Sequence, residues 1–172
     1  MINPEEKRYQ TSVVIADDLR GNIRGLAIMM FMSDLKFCYL DFLAVTQGRP
    51  TSGVGGTIYE RVREEAVALD TIGLFYECLP DDPDLCNDLS SLMQNRKRLG
   101  FYERYGAYPI INTKYEIPVH EEDDCPSYLV YDDLGTGHLL TANELKKVIT
   151  AILKRKYSGY CPDEYIRIIQ KV

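Results

Sequence analysis

The sequence predicts a mixed α/β (α+β) fold, a mostly antiparallel sheet with helices on both faces, and three segments predict it. Residues 37–45 read as a strand with Phe37, Tyr39, Asp41, Leu43 and Val45 on one face and Cys38, Leu40, Phe42 and Ala44 on the other. Apolar side chains on both faces call for cover on both sides. Residues 54–69 place Val54, Ile58, Val62, Ala66 and Leu69 at helical spacing, with Glu60, Arg61, Arg63, Glu64 and Glu65 on the outer surface. Upstream, residues 12–16 and 24–31 read as two strands joined through the polar turn Asp17-Asp18-Leu19-Arg20-Gly21-Asn22, which makes an antiparallel hairpin.

Between the third strand and the helix lies the most informative run, Gly48-Arg49-Pro50-Thr51-Ser52-Gly53-Val54-Gly55-Gly56-Thr57. The first turn of a helix has amide hydrogens without intrahelical partners, and glycines let a ligand approach the backbone closely. A phosphate or pyrophosphate is the natural occupant of such a turn. The run lacks the GK[ST] ending of a P-loop and the GxGxxG spacing of a dinucleotide fingerprint, so it belongs to neither class. An ordinary strand-to-helix connection with packing glycines is the alternative.

The remaining elements follow in order. Residues 72–78 read as the next strand, Pro80-Asp81-Asp82-Pro83-Asp84 as a rigid acidic loop, and residues 85–99 as a helix with Leu85, Leu89, Leu92, Met93 and Leu99 inward. Residues 108–118 and 127–131 read as closing strands. Thr141-Ala142-Asn143-Glu144 has the form of a capping box for a helix over 142–156, with Leu145, Val148, Ile149, Ile152 and Leu153 on one apolar face and Lys154, Arg155 and Lys156 at its C-terminal end. A short helix over 162–170 follows Gly159. Residues 1–120 form the core in this reading, and 121–172 supply a closing strand and a helical extension of the same domain.

Composition narrows the function classes. The chain has 172 residues, 45% hydrophobic and 27% charged, ordinary for a globular protein able to bury a core. No apolar run has the length of a membrane span and no signal-peptide core is present. Cys38, Cys78, Cys86, Cys125 and Cys161 are dispersed, without CxxC pairs, which fits reduced thiols in a cytoplasmic protein and no metal site. With a net charge of -6 and no broad basic stripe, nucleic acid is not an expected partner.

Taken together, Tyr39-Leu40-Asp41-Phe42-Leu43-Ala44-Val45, the glycine turn with its helix, and Asn95-Arg96-Lys97-Arg98-Leu99-Gly100-Phe101-Tyr102-Glu103-Arg104-Tyr105-Gly106 closely resemble the GNAT acetyltransferase superfamily, over about residues 12–117. The resemblance implies acetyl-CoA as cosubstrate. Backbone groups of Leu43 and Val45 would pair with its pantetheine arm, and the amides of Gly53, Val54, Gly55 and Gly56, with Arg49 and Ser52 beside them, would hold its pyrophosphate. Asn95 would contact the pantetheine or order this region, and Tyr102 would protonate the departing thiolate. Pro50 falls where the family has Gln or Arg, and Arg49 lies one residue earlier; proline also removes one amide donor. Only about ten polar residues precede the hairpin, where the family has a strand and two helices walling the acceptor side. Another element replaces that wall, or the site is open, or the chain is part of a larger protein. The ending Lys156-Tyr157-Ser158-Gly159-Tyr160-Cys161-Pro162 resembles the extension of acetyltransferase domains that accompany deacetylase-like amidohydrolases in bacteria.

The implied reaction is direct transfer of an acetyl group to a primary amine, small-molecule or peptide-borne. An ammonium with pKa about 10.4 sits about three units above neutral pH, so releasing the free amine costs roughly 4 kcal/mol. Asp41 and Glu77, on strands expected to border the cleft, are the candidate bases. The acidic runs at 81–84 and 121–124 would favour a cationic acceptor, a polyamine, an amino sugar or a lysine, if they rim that cleft, and otherwise serve solubility. His120 and His138 read as loop residues. A non-catalytic acyl-CoA-binding regulatory module and a structural domain of a larger protein are the alternatives. The apolar face of 145–153 packs within the chain or pairs two copies.

Overall fold

The computed structural model describes residues 8–46, 53–86, 88–117 and 126–169. Residues 8–74 form one compact unit, and the described residues from 75 onward form another.

In the first unit three strands form a meander, β1 (Gln10–Asp17), β2 (Ile23–Met32) and β3 (Phe37–Val45), with β1 antiparallel to β2 and β2 antiparallel to β3. The β1–β2 turn is built on Asp18. Its carboxylate accepts from the Arg20 and Asn22 amides at 2.9 and 3.0 Å and pairs with the Arg24 guanidinium at 2.6 Å. These donors, the Asn22 side chain foremost, hold the Asp18 carboxyl well below the usual carboxylate range. The helix α1 (Val54–Ala68) lies on the sheet with Ile58, Val62 and Ala66 of the expected face buried, joined by Tyr59, while Val54 and Leu69 at the two ends are half-buried. Gly25 on β2 permits the approach: a Cβ there would stand 2.7 Å from the Ala44 carbonyl and 2.7 Å from Cδ1 of Ile58.

In the second unit β4 (Leu74–Cys78), which begins one residue before the boundary, neighbours β6 (Tyr128–Asp132), and β6 pairs antiparallel with the two-residue β5 (Tyr108–Pro109). The helix α2 (Leu89–Glu103) starts at Asp88, whose side chain accepts from the amides of Ser90 and Ser91. Hydrogen bonds from Ser91 and Ser90 lower the Asp88 carboxyl to about 2. The helix therefore begins four residues later than the apolar pattern suggested and runs on through Tyr102. Met93, expected inward, is exposed, and the buried stripe is Asn95, Leu99 and Tyr102. The expected strand over 108–118 stops early because Asn112, with φ 60°, turns the chain into a 3₁₀ turn over Lys114–Glu116. The capping box at Thr141 and Glu144 is present and opens α3 (Ala142–Ala151). The chain then winds as a π-helix over Ile152–Lys156 before α4 (Asp163–Ile169).

Six strands, paired mostly antiparallel, and four α-helices among the described residues give the expected mixed α/β class. One cysteine departs from expectation. Cys86 is disulfide-bonded, whereas Cys38, Cys78 and Cys161 are free thiols. None of the described helices is long and apolar enough to cross a membrane.

Candidate functional site

Strand β3 is irregular at one residue. Ile28 of β2 faces Phe42 and the next residue, Met29, faces Leu40, so Asp41 is the extra residue of a β-bulge. A bulge shifts the alternation by one, and the face assignment made from strict alternation fails beyond it. Leu43 and Val45 stand opposite Ala27 and Gly25, on the side of Cys38 and Leu40, not on the side of Phe37 and Tyr39. That is the side α1 covers, and a Cβ on Gly55 would lie 3.7 Å from Cγ1 of Val45. Leu43, Val45 and the start of α1 are thus neighbours in the first unit.

The N-terminus of α1 opens on Gly53 in the left-handed region, φ 103°. No side chain caps it and no acidic residue lies in its first turn. The first backbone bond of the helix is the Thr57 amide to the Gly53 carbonyl, 2.8 Å. The amides of Val54, Gly55 and Gly56 are the unpartnered donors that begin every α-helix, and here glycine leaves two of them unshielded by side chains. With the positive end of a 15-residue dipole behind them, they can hold an anion. Arg49 and Ser52, expected beside them, lie outside the described residues.

The other predicted site residues belong to the second unit. Asn95, 2% exposed on α2, donates through Nδ2 to the Pro80 carbonyl at 2.8 Å. This bond ties α2 to the loop after β4. Tyr102, the penultimate residue of α2, packs its ring 4.5 Å from that of Tyr76. Burial pushes its phenol far above the ordinary range, Cys78 adds to this and Arg98 opposes it, so Tyr102 is protonated at neutral pH and can act as a donor.

Glu77 is enclosed by partners that sequence reasoning did not assign. The Tyr115 hydroxyl donates to Oε1 and the Tyr157 hydroxyl to Oε2. The Lys156 ammonium lies 3.3 Å from Oε2 and 2.9 Å from the Tyr157 hydroxyl, with its charge 4.4 Å over the Tyr157 ring. Glu77 and Lys156 are only 17% and 16% exposed. Burial first, and then Glu77's charge, pushes Tyr157 up to about 12 and Tyr115 well above its usual range. A carboxylate holding two hydroxyls and an ammonium is an anchor for the C-terminal segment on β4. The sequence marked Glu77 and the pair Lys156-Tyr157 separately, and the π-turn that brings them together leaves no trace in residue spacing.

No family model and no curated protein matches this sequence. Solved structures do match. An aminoglycoside 6'-N-acetyltransferase complexed with coenzyme A aligns over 76% of this chain and 74% of its own, with a TM-score of 0.53 at 18% identity. An acyl-CoA N-acyltransferase from Klebsiella pneumoniae aligns over 76% and 74% with a TM-score of 0.51 at 11% identity. Naa20 from Chaetomium thermophilum, in complex with a bisubstrate analogue, aligns over 73% and 70% with a TM-score of 0.50 at 17% identity. Among the described residues, the strand ending in Val45, the helix α1, the strand β4 and the helix α2 carrying Asn95 and Tyr102 follow one another in the order the resemblance implied. The fold of this chain is that of the GNAT acetyltransferases.

Proposed function

We propose that the protein is an N-acetyltransferase that moves an acetyl group from acetyl-CoA to a primary amine by direct attack. The observation that carries this reading is the uncapped start of α1, where Gly53 is left-handed and the first-turn amides stand next to Val45. These amides would take the pyrophosphate, and backbone groups of Leu43 and Val45 would pair with the pantetheine arm. Arg49 and Ser52 would add to the phosphate contacts. The amine nitrogen attacks the thioester carbon, the carbon–sulfur bond breaks, and the thiolate receives the Tyr102 proton.

Asp41 is the better base of the two candidates. Asp41 is the extra residue of the bulge in β3, two residues before Leu43, and bulges are over-represented next to active sites. Glu77 already accepts from Tyr115, Tyr157 and Lys156, so its oxygens serve the fold. The acceptor class comprises polyamines, amino sugars and lysine-like amines.

Acceptor-dependent release of the coenzyme thiol tests the proposal, with spermidine, glucosamine and lysine as amines. Asp41→Asn and Tyr102→Phe should each slow transfer by about 10²-fold or more, the usual contribution of a positioned acid or base. Glu77→Gln should lower stability while keeping most of the rate. Thiol release no faster than without protein, for every amine, would overturn the reading. Coenzyme binding without turnover would then leave a non-catalytic acyl-CoA-binding module.

A further inference from the structure

The C-terminal segment borders a half-open cavity of about 390 Å³, formed within the second unit. Its walls are Leu153, Lys154 and Arg155 of the π-turn, Ser158 and Cys161 of the following loop, and Asp163 and Ile166 of α4. Leu153 and Ile166 are buried and give it an apolar floor. The volume lies near the lower end of the roughly 300–1,000 Å³ of small-molecule sites, so a metabolite fits and a coenzyme does not. π-turns within helices are frequent at functional sites.

The chemistry of the walls is selective. Lys154, Ser158 and Asp163 have no polar partner among the described residues and are exposed, so an ammonium, a hydroxyl and a carboxylate of the same cavity can be reached by a ligand. Arg155 adds a second cation. Burial, with Glu77's charge behind it, pushes the Cys161 thiol up, so that wall is neutral at physiological pH. Two cations disfavour a polyamine and Asp163 disfavours a phosphate dianion. A ligand with a carboxylate and an ammonium a few atoms apart satisfies all three groups. We infer that this cavity binds a small zwitterion of the α-amino acid class, its carboxylate on Lys154 and Ser158 and its ammonium on Asp163. The site is independent of the acyl-transfer reading and stands or falls without it.

Calorimetric titration of the full chain with alanine, serine, glutamate and lysine, each as the L-amino acid and without acetyl-CoA, is the test. At least one should bind saturably. Its N-acetyl and carboxamide derivatives, each lacking one charge, should bind about tenfold more weakly or not at all, the equivalent of one charged hydrogen bond. Lys154→Glu and Asp163→Asn should weaken binding by a similar factor. Both residues are exposed, and an unchanged melting temperature checks that the variants fold. The bound amino acid should also slow alkylation of Cys161. Absence of saturable binding by all four amino acids, or affinity unchanged in both variants, or equal affinity for the blocked derivatives, would overturn the assignment.

Discussion

Glu77 shows how much one side chain can organise. A carboxylate largely out of water is costly unless its lone pairs are used, and here two phenols and an ammonium use them. The phenols are affected in turn, because burial disfavours their ionised form and ionising either would also put a second negative charge beside Glu77. Tyrosine in the unfolded chain titrates near about 10. The folded-state value of Tyr157 is about 12, so its contribution to stability is complete below pH about 10 and is lost as the pH rises towards 12. Unfolding free energy should fall as the pH rises above about 9, first as the buried Cys38 and Cys78 thiols lose their contribution and then as Tyr157 does. Tyr157→Phe should lower it by about 1 kcal/mol at pH 7, a typical hydrogen bond, and make the alkaline fall shallower. Parallel curves for the two proteins would show that Tyr157 does not carry this linkage.

At the scale of elements, Gly25 and the β3 bulge decide where α1 begins relative to the sheet. Gly25→Ala would drive a methyl to 2.7 Å from both the Ala44 carbonyl and Ile58. Overpacking of this kind costs about 1–3 kcal/mol, which denaturant unfolding should detect, and a neutral result would mean that α1 is free to shift. Most of this arrangement was legible in the sequence. The three strands of the meander lie where alternation put them, α1 spans its apolar stripe, and Thr141 with Glu144 caps α3. The bulge was not legible, because Asp41 in an alternating run looks like any other strand residue. The inward face of α2 was misread because Asn95 is polar, yet is buried through its bond to a carbonyl, while apolar Met93 faces water. The π-turn was invisible for a similar reason. Residues 142–156 have a continuous helical pattern, and the change of winding at Ile152 answers to the placement of Lys156 against Glu77, a tertiary contact.

For the molecule as a whole, the parts of the proposed site that were legible are the ones made of backbone. A glycine turn after an apolar strand can be recognised from residue types, whereas an acid, a base or an acceptor pocket depends on which distant side chains meet. The central claim is that the open start of α1 holds the coenzyme. Gly55→Asp separates binding from folding: a first-turn carboxylate favours the helix dipole by about 0.3–1 kcal/mol but repels a pyrophosphate. Its Cβ would meet nothing closer than 3.7 Å. Calorimetric titration of both proteins with acetyl-CoA should show saturable binding to the wild type and none to Gly55→Asp at equal or higher thermal stability. Failure of the wild type to bind, or undiminished binding by the variant, would contradict the account.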